Sequence, residues 1–282
     1  MRPIEHCNFH GLPALRLRAA DGSIATITLH GAHVVSWTSP QGVEQLYLSP
    51  NTRFEGGQAI RGGVPVVFPQ FNTRGVLPRH GFARTCRWAV LESAEPSQDC
   101  AVTLALQTHK VIQSLWPHRF ACELTVALQG GSLALTLTVR NQDSQALDFQ
   151  AALHTYLAVG SITGLTLSGL EHSHFEDCTE GQSGVTKPHA AWQPPATMDR
   201  IYYKAPQQLQ LQSSLGLRTL QQSGFEDTVV WNPGLGAAGT PADLPWDGHQ
   251  QFLCVEAAQI GQPVQLQPGQ VWHGTQTIGC AR

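Results

Sequence analysis

The chain has 282 residues, of which 41% are hydrophobic and 13% charged, and its formal net charge at pH 7 is −3. So few charges argue against an intrinsically disordered protein, because the signature of disorder is high charge together with low hydrophobicity. The weakly acidic balance argues against nucleic acid as a partner. No apolar run reaches the roughly 18 residues that a transmembrane helix needs, and the first residues show no signal peptide. We therefore expect a cytoplasmic protein with no membrane partner.

Seven cysteines are spread along the chain without a Cys-x-x-Cys motif. An odd number at irregular spacing argues against a disulfide framework and against a zinc ribbon. We predict free thiols in a reducing compartment. Cys122 and Cys254 stand in strand-like apolar runs, where a cysteine usually packs in the core.

Alternation of apolar and polar residues with a period of two recurs along the chain and predicts β-strands. The alternating runs, in chain order, are 25–29, 102–106, 120–128, 133–139, 209–211 and 264–266. The third and fourth runs are joined by Gly130-Gly131, which predicts a β-hairpin. No segment shows three turns of helical apolar spacing, so any helices should be short. We predict an all-β fold, a large antiparallel β-sandwich or barrel, in one domain of residues 1–282.

Four stretches lack such alternation and are expected to be loops: 38–45, 53–80, 171–198 and 232–250. Loops carried by a rigid β scaffold are where functional sites are usually built. The second of these stretches overlaps a segment with an unusual charge balance.

Arginine is concentrated between Arg53 and Arg87, where six arginines face one acid, Glu55. The balance is 6 − 1 = +5 in this segment and −3 − 5 = −8 in the rest of the chain. Arginine offers paired donors that suit phosphate or carboxylate, and Gly62-Gly63 would let backbone N–H groups approach an anion. The segment is therefore either an anion-binding site or a set of surface arginines paired with acids elsewhere. The six arginines are Arg53, Arg61, Arg74, Arg79, Arg84 and Arg87.

Two ionisable residues stand alone in apolar runs: His154 and Glu256. Burial raises the pKa of a carboxyl toward neutrality, where the imidazole already titrates. A glutamate base and a histidine acid facing one cavity would form an acid–base pair. The alternative is a core histidine bonded to a carbonyl oxygen and a glutamate paired with an arginine. From the residues alone both interpretations stay open.

His80 lies between Arg79 and Arg84, whose positive charges would lower its pKa and keep the imidazole neutral. A neutral imidazole can donate a hydrogen bond to a sugar hydroxyl, although a solvent-exposed loop histidine is equally compatible with this pattern. Several aromatic residues are candidates for stacking on a sugar ring or for core packing: Trp37, Phe71 and Trp231.

His172 and His174 form a His-x-His motif, which on a strand would place both imidazoles on one face. No third ligand follows at a defined spacing, so the motif alone does not predict a metal site.

Seven segments resemble the hexose-6-phosphate mutarotases, a group of the aldose-1-epimerase-like proteins. They occur in the same order as in that family and are spread from about residue 31 to residue 260. The segments are 31–37, 59–71, 77–84, 152–156, 198–202, 230–233 and 252–256.

The resemblance implies a β-sandwich of the galactose-mutarotase type that interconverts the α and β anomers of an aldohexose 6-phosphate. It implies no metal and no organic cofactor. By position, Glu256 matches the base that removes the C1 hydroxyl proton, and His154 matches the acid that protonates the ring oxygen. The chain departs from the family pattern at 71–74. The matching substrate-binding positions are Arg61, Gln70, His80, Arg84 and Asp199.

Two other functions remain open at this point. One is an aldose 1-epimerase that acts on unphosphorylated sugar, and the other is a carbohydrate-binding module without catalysis. A binding module does not require an acid and a base to converge, so a shared cavity for His154 and Glu256 would favour an enzyme. We expect the partner to be a phosphorylated hexose and the protein to be a monomer.

Overall fold

Almost all of the regular secondary structure is β-strand. The computed structural model describes residues 4–91, 100–107, 110–179, 181–186, 197–235 and 241–280. Within these residues the strands and helices, in chain order, are β1 (Ile4–Phe9), β2 (Leu12–Arg18), β3 (Ile24–Thr28), β4 (His33–Thr38), β5 (Val66–Val67), a 3-10 turn (Ala83–Thr85), β6 (Trp88–Leu91), β7 (Cys100–Leu106), α1 (Lys110–Leu115), β8 (Phe120–Gln129), β9 (Ser132–Asn141), β10 (Leu147–Leu153), β11 (Tyr156–Ala158), β12 (Thr166–Ser168), β13 (His174–Asp177), β14 (Gln182–Val185), β15 (Met198–Tyr202), β16 (Gln208–Ser213), β17 (Gly216–Ser223), β18 (Asp227–Asn232), a 3-10 turn (Gly248–Gln250), β19 (Phe252–Leu266) and β20 (Val271–Cys280).

The strands of the described residues form three sheets. The first has the order β1-β2-β3-β4, and the third has the order β12-β16-β17-β20-β9-β8-β7-β6. The second has the order β14-β13-β15-β18-β19-β10-β5, and β11 also pairs with β19. Neighbouring strands in these sheets run antiparallel, as in the β10–β19 and β18–β19 pairs. The predicted all-β antiparallel fold is therefore confirmed.

The β8–β9 hairpin is present as the sequence predicts. Ten residue pairs connect the two strands, from Phe120 with Asn141 to Gln129 with Ser132. Gly130 and Gly131 form the turn with φ of 58° and 78°, which glycine adopts without steric cost. Local alternation and turn chemistry are sufficient to specify this part of the third sheet.

The second and third sheets pack face to face around one large hydrophobic cluster. Leu253, Val255 and Ala257 of β19 enter this cluster together with Leu124 of β8 and Leu135 of β9. Successive side chains of a strand point to opposite faces. The intervening residues of β19 therefore lie on the other face of the second sheet, which is where the candidate site is built.

The loop prediction for 171–198 is wrong in part, because β13 and β14 lie within it. These two strands end the second sheet and carry mostly polar, partly exposed residues. An edge strand of this kind buries little on either face and shows no hydrophobic alternation. Residues 180 and 187–196 of this stretch lie outside the described residues.

Helices are short, as predicted. The described residues contain the six-residue helix α1 and the two 3-10 turns. None of these helices has the length and hydrophobicity needed to cross a membrane.

Candidate active site

The register of the second sheet brings His154 opposite Glu256. The β10–β19 ladder pairs residue 153 with 257, and the β11–β19 ladder pairs 156 with 254. His154 lies between the two paired segments, so the continuing antiparallel register sets it against Glu256. The sheet thus joins two side chains that are far apart in the sequence.

A row of cross-strand partners extends the same sheet face toward β15. Asp199 pairs with Trp231 of β18, and Trp231 pairs with Cys254 of β19. Glu256 follows Cys254 by two residues and therefore shares its face. Asp199, the aromatic ring of Trp231 and the carboxyl of Glu256 all point to one side of the sheet.

This face forms one wall of a cavity of about 510 Å³. Six of the seven residues that the sequence nominates as catalytic or substrate-binding line it: Arg61, His80, Arg84, His154, Asp199 and Glu256. The remaining lining residues are Phe71, Asn72, Arg79, Cys178, Thr179, Thr197, Val229, Trp231, Pro233 and Pro241. The cavity therefore collects the ionisable candidates from loops and strands that are distant in the chain.

The closest ionisable pair in the cavity is His154 and Glu256. Nδ1 of His154 lies 3.3 Å from Oε1 of Glu256, and their side chains are 11% and 1% exposed. Within the described part of the chain, Nδ1 of His154 and Oε2 of Glu256 have no hydrogen-bond partner. Buried polar atoms are rarely left unpaired. These two unpaired atoms can therefore form hydrogen bonds with a ligand.

Burial favours the uncharged forms of both groups. It raises the pKa of Glu256 well above its ordinary value, and the nearby Asp199 carboxylate adds to the rise. Burial likewise lowers the pKa of His154 well below its ordinary value, and the charges of Arg61 and Arg84 lower it further. The carboxylic acid with imidazole contains as many protons as the carboxylate with imidazolium. A proton transfer within the pair therefore interconverts the two forms.

Tyr156 and Trp231 hold the His154 ring in place. The Tyr156 ring stacks on His154 at 4.9 Å with an angle of 11° between the planes. Trp231 meets His154 edge to face at 5.9 Å and 78°. Contact on two sides restricts the rotation of the imidazole, which a directed proton transfer requires.

His80 is a neutral donor. The backbone N–H of Asn72 donates to Nδ1 of His80 at 3.3 Å, so the ring proton resides on Nε2. Burial lowers the pKa of His80 far below its ordinary value, and the charges of His154 and Arg84 contribute less. This direction agrees with the neutral state that the sequence predicts, but burial is its largest cause rather than the flanking arginines.

Three arginines of the cluster line the cavity, and two of them are held by hydrogen bonds. Arg61 donates from Nε to Oδ1 of Asp243 at 3.0 Å and from Nη1 to the Tyr156 hydroxyl at 2.9 Å. Nη2 of Arg84 donates to the backbone oxygen of Arg79 at 2.9 Å. Burial, with the charges of Arg61 and Arg79, lowers the pKa of Arg84 to about 10. Three arginine side chains thus bring positive charge to the lining of the cavity.

The other three arginines of the cluster do not line the cavity. Arg74 pairs with Glu176 at 2.5 Å, and Arg53 and Arg87 are exposed. Both interpretations of the cluster therefore hold in part. Three of its arginines line the cavity, while Arg74 pairs with Glu176 and Arg61, although it lines the cavity, also pairs with Asp243.

Gln70 lies outside the lining residues. Its Nε2 donates to the backbone oxygens of Asn72 and Leu77, each at 3.0 Å, and its Oε1 accepts from the Leu77 N–H at 2.9 Å. These bonds shape the loop that carries His80. The structure therefore places Gln70 in the support of the site, whereas the sequence nominates it for direct contact with substrate.

A family profile described as aldose 1-epimerase matches residues 13–279 of the chain. This covers nearly all of the described residues. The chain belongs to the aldose 1-epimerase family.

Two similar proteins align with most of the length of this chain. A protein from Cenchrus ciliaris, named "Putative glucose-6-phosphate 1-epimerase", is 34% identical over 94% of this chain and 83% of the relative. A protein of the same name from Escherichia coli strain K12 is 31% identical over 92% of this chain and 87% of the relative. The predicted enzyme of the isomerase class, which interconverts sugar anomers, is confirmed.

Solved structures agree with this assignment. A Salmonella typhimurium protein described as a "putative mutarotase" superposes with a TM-score of 0.88 at 27% identity, covering 100% of this chain and 95% of the other. A galactose mutarotase-like protein from Clostridium acetobutylicum gives a TM-score of 0.78 at 16% identity, covering 99% and 98% of the two chains. The second comparison supports the prediction that the fold is a β-sandwich of the galactose-mutarotase type.

Several lining or supporting residues were not assigned to the site from the sequence. Arg79 belonged to the cluster, but nothing in its loop separates it from Arg74. Tyr156 was visible only as a neighbour of His154, and Asp243 lies in a loop without any periodic signal. Of the three aromatic candidates, Phe71 and Trp231 line the cavity, whereas Trp37 is fully buried in the core.

The His-x-His motif does not place both imidazoles on one strand. His174 belongs to β13, but His172 precedes the strand and has a φ of 66°. Both side chains are exposed. The motif therefore contributes nothing to the cavity.

Gly62 is required by a close approach of two backbones rather than by an anion. Its neighbour Gly63 donates its N–H to the Tyr47 oxygen at 2.7 Å, so this donor is occupied. A Cβ on Gly62, whose φ is 111°, would lie 2.3 Å from the same oxygen. The two glycines bring the Arg61 segment against the residues around Tyr47 and thereby set the position of Arg61.

Gly62→Ala is expected to lower the free energy of unfolding by about 2 kcal/mol or more, from backbone strain and overpacking together. Chemical denaturation measures this loss. Gly57→Ala is the matched control, because Gly57 has a φ of 82° but no atom within 4 Å of an added Cβ. Equal losses in the two variants would show that the close approach contributes nothing.

Proposed function

We propose that this enzyme acts on an aldohexose 6-phosphate, with glucose 6-phosphate as the first substrate to test. The observation that supports this best is the content of one cavity. It combines an imidazole and a carboxyl 3.3 Å apart with three arginines. The names of the relatives from Cenchrus ciliaris and Escherichia coli agree with this substrate.

In the proposed reaction Glu256, as carboxylate, removes the C1 hydroxyl proton while His154, as imidazolium, protonates the ring oxygen. The bond between C1 and the ring oxygen breaks and leaves an open-chain aldehyde. Rotation about C1–C2 then turns the other carbonyl face toward the hydroxyl at C5. On reclosure that hydroxyl returns its proton to His154, and Glu256 returns a proton to the oxygen on C1. The pair ends the cycle in its starting state.

His80 and Asp199 are proposed to orient the ring. The Nε2–H of neutral His80 is a donor for a sugar oxygen, and the Asp199 carboxylate accepts hydrogen bonds from hydroxyls. Phe71 and Trp231 supply apolar surface for the C–H face of the pyranose. Binding of this kind fixes C1 and the ring oxygen against the two catalytic groups.

The phosphate is expected to activate the acid as well as to hold the substrate. Arg61, Arg84 and Arg79 all lower the pKa of His154 by repulsion. A bound phosphate carries nearly two negative charges and offsets this repulsion, which raises the pKa of His154 and favours the imidazolium. The phosphate would thus increase the rate of ring opening in addition to the affinity.

Anomer interconversion of glucose 6-phosphate and of glucose, followed by polarimetry or exchange NMR, tests the proposal. We expect a higher kcat/KM for the phosphorylated sugar. Inorganic phosphate should compete with glucose 6-phosphate but stimulate the conversion of free glucose. Equal turnover of both sugars would assign the enzyme to unphosphorylated aldoses instead.

Tyr156→Phe is expected to reduce kcat/KM for glucose 6-phosphate by about 5- to 10-fold, because it removes the hydroxyl that accepts a hydrogen bond from Arg61. The aromatic ring that stacks on His154 remains, so conversion of free glucose should change little. Tyr156→Leu removes the stacking ring as well and should slow both substrates. An identical loss for both sugars in Tyr156→Phe would contradict a role through Arg61.

We expect the KM for sugar to depend on pH because of Asp199. Burial raises the pKa of Asp199 to about 6. The carboxylate, which accepts hydroxyl hydrogen bonds most strongly, therefore forms as the pH rises through this value, and KM should fall over the same range. Free glucose is the substrate for this measurement, because a sugar phosphate itself titrates near pH 6. The step in KM should vanish in Asp199→Asn, and its persistence there would assign it to another group.

We further infer a cytoplasmic location. None of the seven cysteines is paired in a disulfide bond, which agrees with a reducing compartment. Light scattering after gel filtration tests the predicted monomer.

A further inference from the structure

Cys254 lies next to the proposed catalytic pair, although the reaction does not use it. It precedes Glu256 by two residues on β19 and is fully buried. Ligand atoms of His154, Cys254 and Glu256 all lie within 4.8 Å of one another. One nitrogen, one sulfur and one oxygen thus converge beside the cavity that His154 and Glu256 line.

Two of these residues carry buried atoms without a partner. Nδ1 of His154 and Oε2 of Glu256 make no hydrogen bond within the described part of the chain. The separation of 3.3 Å between Nδ1 and Oε1 is also close to the edge of a tetrahedral zinc shell, which is about 3.3 Å for metal–ligand bonds near 2.0–2.1 Å. A metal ion that accepts lone pairs from the nitrogen, the oxygen and the nearby sulfur would satisfy these atoms together.

The donor set selects among metal ions. Calcium and magnesium prefer oxygen ligands, which a thiol and an imidazole do not supply. Histidine, cysteine and glutamate are all ligands that Zn²⁺ accepts, and three protein ligands leave its fourth position free. His154 and Glu256 line the cavity, so the ion has a path from solvent to the site.

We propose that His154, Cys254 and Glu256 form a binding site for Zn²⁺ or a similar borderline-soft divalent ion, and that its occupation inhibits the enzyme. The metal bonds to the imidazole nitrogen, the carboxylate oxygen and the sulfur, and two protons are released to solvent, one from the thiol and one from the His154–Glu256 pair. No oxidation or reduction takes place. Both catalytic groups lose the lone pairs that carry protons in the reaction. This inhibition rests on the proposed roles of His154 and Glu256, whereas the metal site does not.

Cobalt is the probe for the site itself. Titration of the purified protein with Co²⁺ should give a thiolate-to-cobalt absorption in the near ultraviolet and visible bands of a tetrahedral ion, saturating at one ion per chain. Cys254→Ser should lose the thiolate absorption. Cys178→Ser is the matched control, because Cys178 lines the cavity but lies outside the ligand group, and it should keep the full spectrum. Zn²⁺ should displace the cobalt signal.

Activity provides the second readout. Zn²⁺ should inhibit the wild-type enzyme reversibly, with recovery on adding a chelator and protection by substrate. In Cys254→Ser the Zn²⁺ concentration for half inhibition should rise by at least about tenfold, while the rate without metal is retained. Cys254→Ala, with thermal melting of both variants, separates ligand loss from a folding defect. Absence of the thiolate band, or unchanged inhibition in both Cys254 variants, would overturn the proposed metal site. An intact cobalt spectrum on a protein without epimerase activity would instead overturn the proposed function and leave the metal site standing.

Discussion

Glu256→Gln is expected to remove the acceleration of anomer interconversion while the chain remains folded. The amide has nearly the same shape as the carboxyl but cannot accept the C1 hydroxyl proton. General acid–base groups contribute on the order of 10²- to 10⁴-fold each, and uncatalysed mutarotation in water already proceeds. The measured rate should therefore fall to the background. His154→Ala is expected to have the same effect, and polarimetry or exchange NMR measures both.

Stability gives an independent check on the Glu256 variant. Because burial raises the pKa of Glu256 above its ordinary value of 4.5, the wild type loses stability as the pH rises above that value. Glu256→Gln should therefore become more stable relative to the wild type as the pH increases from about 4.5 to 8. Glu226→Gln, which changes an exposed glutamate, is the control and should keep the wild-type rate. If both Glu256→Gln and His154→Ala keep the wild-type rate, these two residues are not the acid and the base of the reaction.

Arg61→Ala is expected to weaken the use of glucose 6-phosphate much more than that of glucose. A charge-assisted hydrogen bond contributes about 1.5–3 kcal/mol, which corresponds to roughly 10- to 150-fold in kcat/KM. The Arg61 side chain is 24% exposed, so solvent only partly screens its charge. Loss of its positive charge also relieves repulsion on His154, which should partly preserve the rate on free glucose.

Arg74→Ala is the matched control for Arg61→Ala. It removes an arginine of the same segment that pairs with Glu176 and does not line the cavity. We expect the ratio of kcat/KM values for the two sugars to stay at the wild-type level. If Arg74→Ala and Arg61→Ala change this ratio equally, the cluster acts through overall charge rather than through a phosphate site.

Sequence reasoning succeeds where the signal is local. The β8–β9 hairpin follows from alternation and a Gly-Gly turn, both contained in 22 residues (120–141). His154 and Glu256 were found because an ionisable group in an apolar strand is costly without a purpose. In each case the signal lies within one short segment of the chain, although the sheet then joins His154 to Glu256 across 102 residues.

The remaining parts of the site depend on distant segments. Asp243 bonds Arg61 across 182 residues of sequence, and no pattern near either residue indicates that bond. Gln70 resembles a site residue by position, yet its amide satisfies the backbone of its own loop. The β13 and β14 strands were missed because edge strands with polar residues lack the alternation that marks a half-buried strand.

The pairing of β10 with β19 has a consequence for synthesis of the chain. The two proposed catalytic residues, His154 and Glu256, are 256 − 154 = 102 residues apart, and at about 5–20 residues per second a ribosome needs roughly 5–20 s to add that length. During this interval β10 lacks its long partner and offers an open edge to other chains. A nascent protein therefore brings His154 and Glu256 together only when β19 has emerged and paired with β10. The proposed catalytic pair and the cover of this strand edge form in the same step.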